Sequence, residues 1–301
     1  MQDRLDALTI FVAVAEQGSF VAGARRLGRS PAAVSRAVAA LEDRLGARLL
    51  NRTTRAMALT DEGARYLDSA RRLLAELDDL EAGAAGEGGV PRGTLAVTAP
   101  VLFGRLHVLP VALDFLKDNP AVDLRLLLLD RIVSLVDEGL DVGIRLGRLP
   151  DSSLRAIAAG SIGRAVYASP DYLARHGAPA APQDLAGHGC IAFADGATGQ
   201  QRWSFGRDDA ASSVGVRPRL AVNTAEAAVD AAAAGLGVTR VMTYQAAAME
   251  EAGRLVRILR GHEPPSVPIQ LVHPAGRHLP AKVRLFVDRA VAALRARFAD
   301  A

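Results

Sequence analysis

Residues Ser19 to Leu45 constrain this chain more than any other stretch. A serine at position 19 is placed to cap a first short helix, and Gly28 supplies a tight turn. Ser30 followed by Pro31 opens a second helix, because proline at the first helical position loses no hydrogen bond. In that second helix Val34, Val38, Leu41 and Leu45 recur at spacings of four, three and four, so they share one buried face. Ala32, Arg36 and Ala39 point the other way, with Ser35 on the flank. Such a face begins small, then offers a hydroxyl and a guanidinium. A helix of this kind enters a DNA major groove: small residues permit close approach, while Ser and Arg donate hydrogen bonds to base edges. The candidate contacts are Ser30, Pro31, Ala32, Ala33, Ser35 and Arg36. The alternative is a surface helix in an ordinary bundle.

The flanks favour DNA. An earlier helix is expected from about Leu5 to Glu16, with Leu5, Leu8, Val12 and Ala15 on one stripe. Gly46 ends the second helix of the pair. Leu49 to Leu59 then has apolar ends and a polar tip, the pattern of a two-stranded wing, with Arg52, Thr53 and Arg55 available to phosphates or a minor groove. Residues 1–60 hold nine arginines against five acids, whereas residues 61–90 hold three against eight. The net charge of +3 would not by itself indicate a polyanion, but the basic surplus is concentrated at the N-terminus.

Thr60 is an N-cap, and Asp61 and Glu62 suit the first turn that follows. Tyr66, Ala70, Leu73, Leu77, Leu80 and Ala84 then form a heptad seam on a helix of roughly 25 residues, about 38 Å long. A stripe this long and narrow predicts a dimerisation helix; packing against its own domain is the alternative. The glycine-rich run from Gly83 to Gly93 predicts a hinge.

From Thr94 onward the pattern changes to alternating strands and helices, an α/β architecture with largely parallel sheets. Strands are expected near Thr94–Thr98, Val122–Leu129 and Asp141–Leu146, one or two over residues 154–168 with Arg164–Ala168 the second, then Cys190–Phe193, Arg202–Phe205, Val214–Val222, Val238–Val241, Leu255–Leu259 and Ile269–His273. Helices are expected after Pro100 to about Lys117, at Ile132–Glu138, Pro170–Arg175, Asn223–Ala234, Thr243–Glu251 and Pro280–Phe298. Enzymatic chemistry has no positive signal. The six histidines show no metal-ligand spacing, so no metal and no cofactor are expected. Cys190 is the only cysteine, which rules out an internal disulfide and suits a core position. Gly235-Leu236-Gly237 lacks the third glycine of a dinucleotide fingerprint. No phosphate loop and no Gly-x-Ser-x-Gly motif occur. With no secretory core and no apolar run of ~20 residues, a cytoplasmic protein without membrane contact is expected.

Together these features resemble a LysR-type transcriptional regulator. The most specific matches are Ala24-Arg25-Arg26-Leu27, Ala33-Val34-Ser35-Arg36, Leu41-Glu42, Leu45-Gly46, Leu49-Leu50-Asn51-Arg52 and Leu59-Thr60-Asp61-Glu62-Gly63. Val97-Thr98-Ala99-Pro100, Ile144-Arg145-Leu146-Gly147, Ala168-Ser169-Pro170-Asp171-Tyr172-Leu173 and Ala234-Gly235-Leu236-Gly237 are similar to the CrgA-like branch. Many members place a base-reading glutamine near Pro31 or Ala32; its absence here shifts specificity toward Ser35, Arg36 and the wing.

The resemblance implies a winged helix-turn-helix domain over 1–60, a linker helix and hinge over 61–90, and a periplasmic-binding-protein-like effector domain over 91–301. Lobe I would comprise about 91–160 and 268–301, and lobe II about 161–267. Double-stranded promoter DNA, a small-molecule effector, further copies of the chain as dimers and tetramers, and RNA polymerase for an activator are the implied partners. Open α/β sheets bind ligands beyond their strand carboxyl ends. Thr98, Ala99 and Pro100 lie at one such end, and Asn223 and Thr224 at another, each before a helix N-terminus that favours anions. Arg145 adds a fixed positive charge and Phe193 an apolar wall, so a small organic anion is expected. Each has a plainer reading. Asn223 with Glu226 makes a capping box, Arg145 pairs with Asp141 or Glu138, and Thr98 is an ordinary strand residue. A DNA-binding architectural protein without a ligand is the other alternative; it would not need some 200 residues of α/β domain.

Overall fold

Side-chain caps set the ends of the first helices. A computed structural model describes residues 4–52, 57–84, 90–147, 154–193, 201–206, 211–275 and 279–299. In it α1 spans Arg4–Gln17, α2 Phe20–Arg26 and α3 Pro31–Leu45. The Ala22 N–H donates to Ser19 Oγ at 3.4 Å and the Ala33 N–H to Ser30 Oγ at 3.2 Å. Gly46 closes α3 at φ 64°, a left-handed conformation that favours glycine. Ile10, Phe11, Val14, Val34, Val38 and Leu41 form the core of this three-helix unit. Two short antiparallel strands follow, β1 (Leu50–Arg52) and β2 (Met57–Leu59), with Leu50 opposite Leu59. Glu42 fixes where the wing begins: its Oε1 accepts the N–H groups of Leu49 at 2.8 Å and Leu50 at 3.0 Å.

The long helix α4 runs over Asp61–Ala84. Its seam divides. Tyr66 packs edge-on against Phe11 at 5.5 Å, and Leu67 and Ala70 are buried. That half is therefore covered by its own domain, as the plainer reading had it. Leu73 is 53% exposed and Leu77 is half-buried. The Leu80 side chain lies outside the described residues, as do residues 85–89 of the expected hinge, Thr53, Arg55 and the Arg52 side chain.

The C-terminal part carries two five-stranded sheets. The first has the order β4 (Val122–Leu128), β3 (Gly93–Ala99), β5 (Val142–Leu146), β14 (Val267–Pro274), β6 (Leu154–Ile162). The second has the order β11 (Pro218–Val222), β8 (Cys190–Phe193), β12 (Val238–Met242), β7 (Arg164–Ala168), β13 (Val256–Ile258). A hairpin of β9 (Gln201–Phe205) and β10 (Ser212–Val216) stands apart. One face of the first sheet packs on α5 (Val101–Phe103), the π-helical turn Gly104–Val108, α6 (Leu109–Asp118) and α10 (Ala281–Phe298). The second sheet carries α8 (Ala225–Ala233) and α9 (Thr243–Glu251) on one face, with α7 (Pro170–His176) and the hairpin on the other.

Three expectations fail, and so does one of the plainer readings. The sheets are not largely parallel: four neighbouring pairs are parallel and four antiparallel. The antiparallel pairs are those beside the two crossovers, where the chain passes between sheets instead of returning through a helix. Ile132–Glu138 is a single turn, held by the Glu138 N–H on the Ser134 carbonyl at 3.2 Å and ended by Gly139 at φ 62°. Val214–Val222 is two strands in different sheets, because Pro218 has no N–H to continue a ladder. The Asn223–Glu226 capping box does not form: Thr224 is the cap, accepting the Ala227 N–H at 3.3 Å.

Candidate functional site

The outer face of α3 stands as its periodicity predicts. Pro31, Ala32 and Arg36 are exposed, and Ala33 and Ser35 are half-buried. The Ser30 hydroxyl accepts the Ala33 N–H, so it caps the helix rather than reaching outward. Arg36 makes no ion pair among the described residues; its Nε donates only to the Ala32 carbonyl, at 3.4 Å. Its neighbours are tied down. Arg29 holds Asp6 through two bonds of 2.9 and 2.7 Å, and Glu16 joins Arg26 at 2.6 Å to Arg71 at 3.1 Å. The helix thus presents the Arg36 guanidinium, free of ion pairs among the described residues, beside small residues, the shape and donor set of a groove-reading element.

The second site lies in the first α/β sheet, on the face turned toward the Arg131–Leu140 segment. Thr98 lies opposite Gly143, and Arg145 opposite Gln270. Thr98 is fully buried and its Oγ1 has no partner among the described residues; Gln270 Oε1 is likewise buried and unpartnered among them. Arg145, 8% exposed, donates Nη2 to the Val133 carbonyl at 3.1 Å. Burial lowers its pKa, since an unpaired charge is poorly solvated there. The expected ion pairs of Arg145 are absent: Asp141 accepts the Ala96 N–H at 2.8 Å, and Glu138 pairs with Arg131 at 3.3 Å. Three unmet or half-met polar groups on one sheet face form a polar cluster beneath apolar Val133 and Leu135.

Across the crossovers, the parallel strands of the second sheet end at Phe193, Val222 and Met242. Asn223 and Thr224 are exposed at the start of α8, and Phe193 is partly buried against the cluster that packs α8. Ala99 is buried with the helical face of the first sheet, and half-buried Pro100 opens α5. Where α9 meets the first sheet's helices, Tyr244 packs against Phe103 at 5.4 Å and His107 at 5.5 Å.

Two family models match the chain. Residues 5–64 match the bacterial regulatory helix-turn-helix protein of the lysR family, and residues 88–295 the LysR substrate binding domain. The chain belongs to the LysR family of transcriptional regulators. This LysR-type regulator is 36% identical over 290 residues to an HTH-type transcriptional repressor of Pseudomonas aeruginosa, covering 95% of this chain and 90% of that one. It is 32% identical to the regulator CrgA of Neisseria meningitidis, covering 96% of both. The CrgA crystal structure superimposes with a TM-score of 0.61 at 31% identity, over 96% of this chain and 98% of that one. The full-length virulence activator AphB of Vibrio cholerae gives 0.60 at 27% identity, over 96% and 99%. The relatives are named as regulators, not enzymes, and the architecture is that of the family: a helix-turn-helix domain and a two-lobed effector-binding domain. LysR-type regulators bind DNA, respond to small-molecule effectors and oligomerise. No described helix of this regulator is long and apolar enough to cross a membrane.

Sequence reasoning missed Gln270 and Tyr244. Gln270 was legible only as the one amide interrupting the apolar run Ile269–His273. Tyr244 gave no signal, because the rings it packs against, Phe103 and His107, lie more than a hundred residues away in sequence.

Proposed function

We propose that this LysR-type regulator senses a small organic anion through Arg145, Thr98 and Gln270 of one lobe and Asn223 and Thr224 of the other. The observation that carries this reading is the buried Thr98 hydroxyl, without a hydrogen-bond partner among the described residues, beside an Arg145 that has no counter-charge among them. Such groups cost free energy unless a ligand or water satisfies them. A carboxylate meets a guanidinium through two parallel bonds and accepts from hydroxyls and helix N-termini, and Gln270 would meet it through its amide Nε2, since Oε1 only accepts. Ala99, Pro100 and Phe193 supply apolar and backbone surroundings, as ligand sites usually have.

The working division is residues 1–60 for DNA, 61–90 for the linker and 91–301 for sensing. Lobe I takes about 91–160 and 268–301, and lobe II about 161–267. Pro31, Ala32, Ala33, Ser35 and Arg36 form the major-groove face, with Ser30 capping the helix that carries it, and Arg52, Thr53 and Arg55 the wing contacts. Tyr66, Ala70, Leu73, Leu77 and Leu80 follow the dimerisation seam, with Leu73 and Leu77 the members left outside the domain's own core. Dimers pair into tetramers that bind promoter DNA in the cytoplasm, with RNA polymerase as a further partner where the regulator activates.

A thermal-shift screen of carboxylates, neutral aromatics and cations tests the anion reading. Carboxylates should bind, and Arg145→Ala and Gln270→Leu should each weaken them about tenfold or more. Binding of cations or neutral compounds alone sinks the charge class. Equal carboxylate binding by both variants removes these residues from the site.

A further inference from the structure

The second sheet holds a pair of arginines that the effector reading does not use. Arg164 begins β7, two residues after β6 ends, and so stands at the first crossover between the sheets. In the β7–β12 register Arg164 lies opposite Met242 and Val166 opposite Arg240, so both arginines occupy one face at diagonal positions. That face is the one covered by the β9–β10 hairpin, since Val166 and Val238 share a core with Trp203 and Phe205. The Arg240 guanidinium lies 5.4 Å from the centre of the buried Trp203 indole, and its Nη1 donates to the Ser204 carbonyl at 2.9 Å. The Arg164 side chain makes no hydrogen bond or ion pair among the described residues, and no described carboxylate is among the groups that shift either guanidinium. Glu263, on the second crossover, has both oxygens engaged by Arg257, at 2.6 and 2.5 Å.

We propose that Arg164 and Arg240 form an oxyanion site at this crossover, taking a carboxylate or phosphate group between their guanidiniums. Two half-buried like charges repel each other and lose hydration, so without a counter-ion the arrangement is unfavourable. Burial lowers the pKa of both, and the neighbouring Arg164 helps to bring Arg240 down to about 10. An oxyanion reverses both effects. It accepts forked N–H bonds from both guanidiniums, of which that of Arg240 is already held by the Ser204 carbonyl and the Trp203 indole. The site uses residues of the other sheet from Arg145, so it stands or falls separately from the effector reading. Because Arg164 adjoins the crossover, occupancy would stiffen the joint between the two sheets.

The test uses the full-length protein with inorganic phosphate and malonate, against chloride at matched ionic strength. At least one oxyanion should raise the melting midpoint above chloride, and the one that does identifies the group preferred. Arg164→Gln and Arg240→Gln should each weaken its apparent affinity by about tenfold or more. Without oxyanion, Arg164→Gln should melt no lower than the wild type, because it removes a like-charged neighbour. Should the glutamine variants not fold, Arg240→Lys keeps the charge while losing the fork, and should weaken the response by a similar factor. The proposal is overturned if neither oxyanion exceeds chloride. It is equally overturned if the variants respond as the wild type does, or if Arg164→Gln melts lower whether or not oxyanion is present.

Discussion

At the scale of single residues, the groups that matter are those left without a full set of partners among the described residues. Arg36, with no ion pair there, is one, and a base edge is its expected partner. Arg36→Ala should cost about 1–3 kcal/mol of specific DNA binding and relax selectivity at one position. Arg52→Ala in the wing should weaken specific and random DNA alike and flatten the salt slope. Titrations at two salt concentrations separate the two, and unchanged affinity in both variants would remove this face from DNA. His107 is another. Both its ring nitrogens are buried without a partner, packed against Phe103, Tyr244 and Phe298, and burial, assisted by Arg297, lowers its pKa from 6.5 to about 4. Between those values the unfolded chain binds more protons than the folded one, so stability falls as pH drops from about 6.5 toward 4. His107→Phe should remove roughly 2–3 kcal/mol of that pH dependence. Urea unfolding at pH 7 and pH 4.5 checks it; an unchanged difference between the two would mean that His107 is not the group responsible.

At the scale of elements, α4 serves two surfaces in succession. Its first turns complete the DNA-binding core through Tyr66, Leu67 and Ala70, and Arg71 is anchored to Glu16. Beyond them the apolar stripe continues with Leu73 exposed, the expected state of a coiled-coil seam lacking its partner. Leu73→Arg and Leu77→Arg should each loosen the dimer, because a charge in the seam is costly to desolvate. Operator affinity should fall in step, since two half-sites are read jointly only by a dimer. Sedimentation over a dilution series would show it. A wild-type mass in both variants would shift the assembly to the effector domain, where Val101, Leu106, Leu109 and Leu113 stay exposed along the first sheet's helices.

At the scale of the whole molecule, the crossovers decide how two sheets act as one sensor. Gly160 sits near the end of β6 at φ 123°, and a Cβ there would meet the Phe298 backbone at 2.6 Å. Gly160→Ala therefore faces both strain and a collision with α10, and should destabilise the effector domain by more than about 1 kcal/mol. Its melting transition should drop while that of an isolated 1–84 fragment, if folded, stays put; an unchanged midpoint would show that α10 yields freely. A ligand can shift DNA binding only by its differential affinity for the two lobe arrangements. An effector that Arg145→Ala still binds normally but that no longer alters operator affinity would place Arg145 in coupling rather than in binding.

Local features were legible in the chain alone. Ser19, Ser30 and Gly46 set helix ends because caps act within three or four residues. The apolar spacing in α3 told its buried face from its outward one because a helix has a fixed period, and the ordered arrangement of motifs identified the family. Features that depend on distant neighbours waited on the folded arrangement. Sheet polarity could not be read because it depends on which strands flank the crossovers. Ile132 and Val136, spaced like a helix, turned out exposed on a single turn because Val133, Leu135 and Leu140 took the sheet face instead. The charge of Arg145 was legible, but its lack of a carboxylate was not: Asp141 is held by a backbone N–H of another strand and Glu138 by Arg131. The meeting of Arg164 with Arg240 comes from a cross-strand register spanning more than seventy residues. Propensity and period act along the chain; burial and charge compensation act through space, and only the fold fixes who stands beside whom.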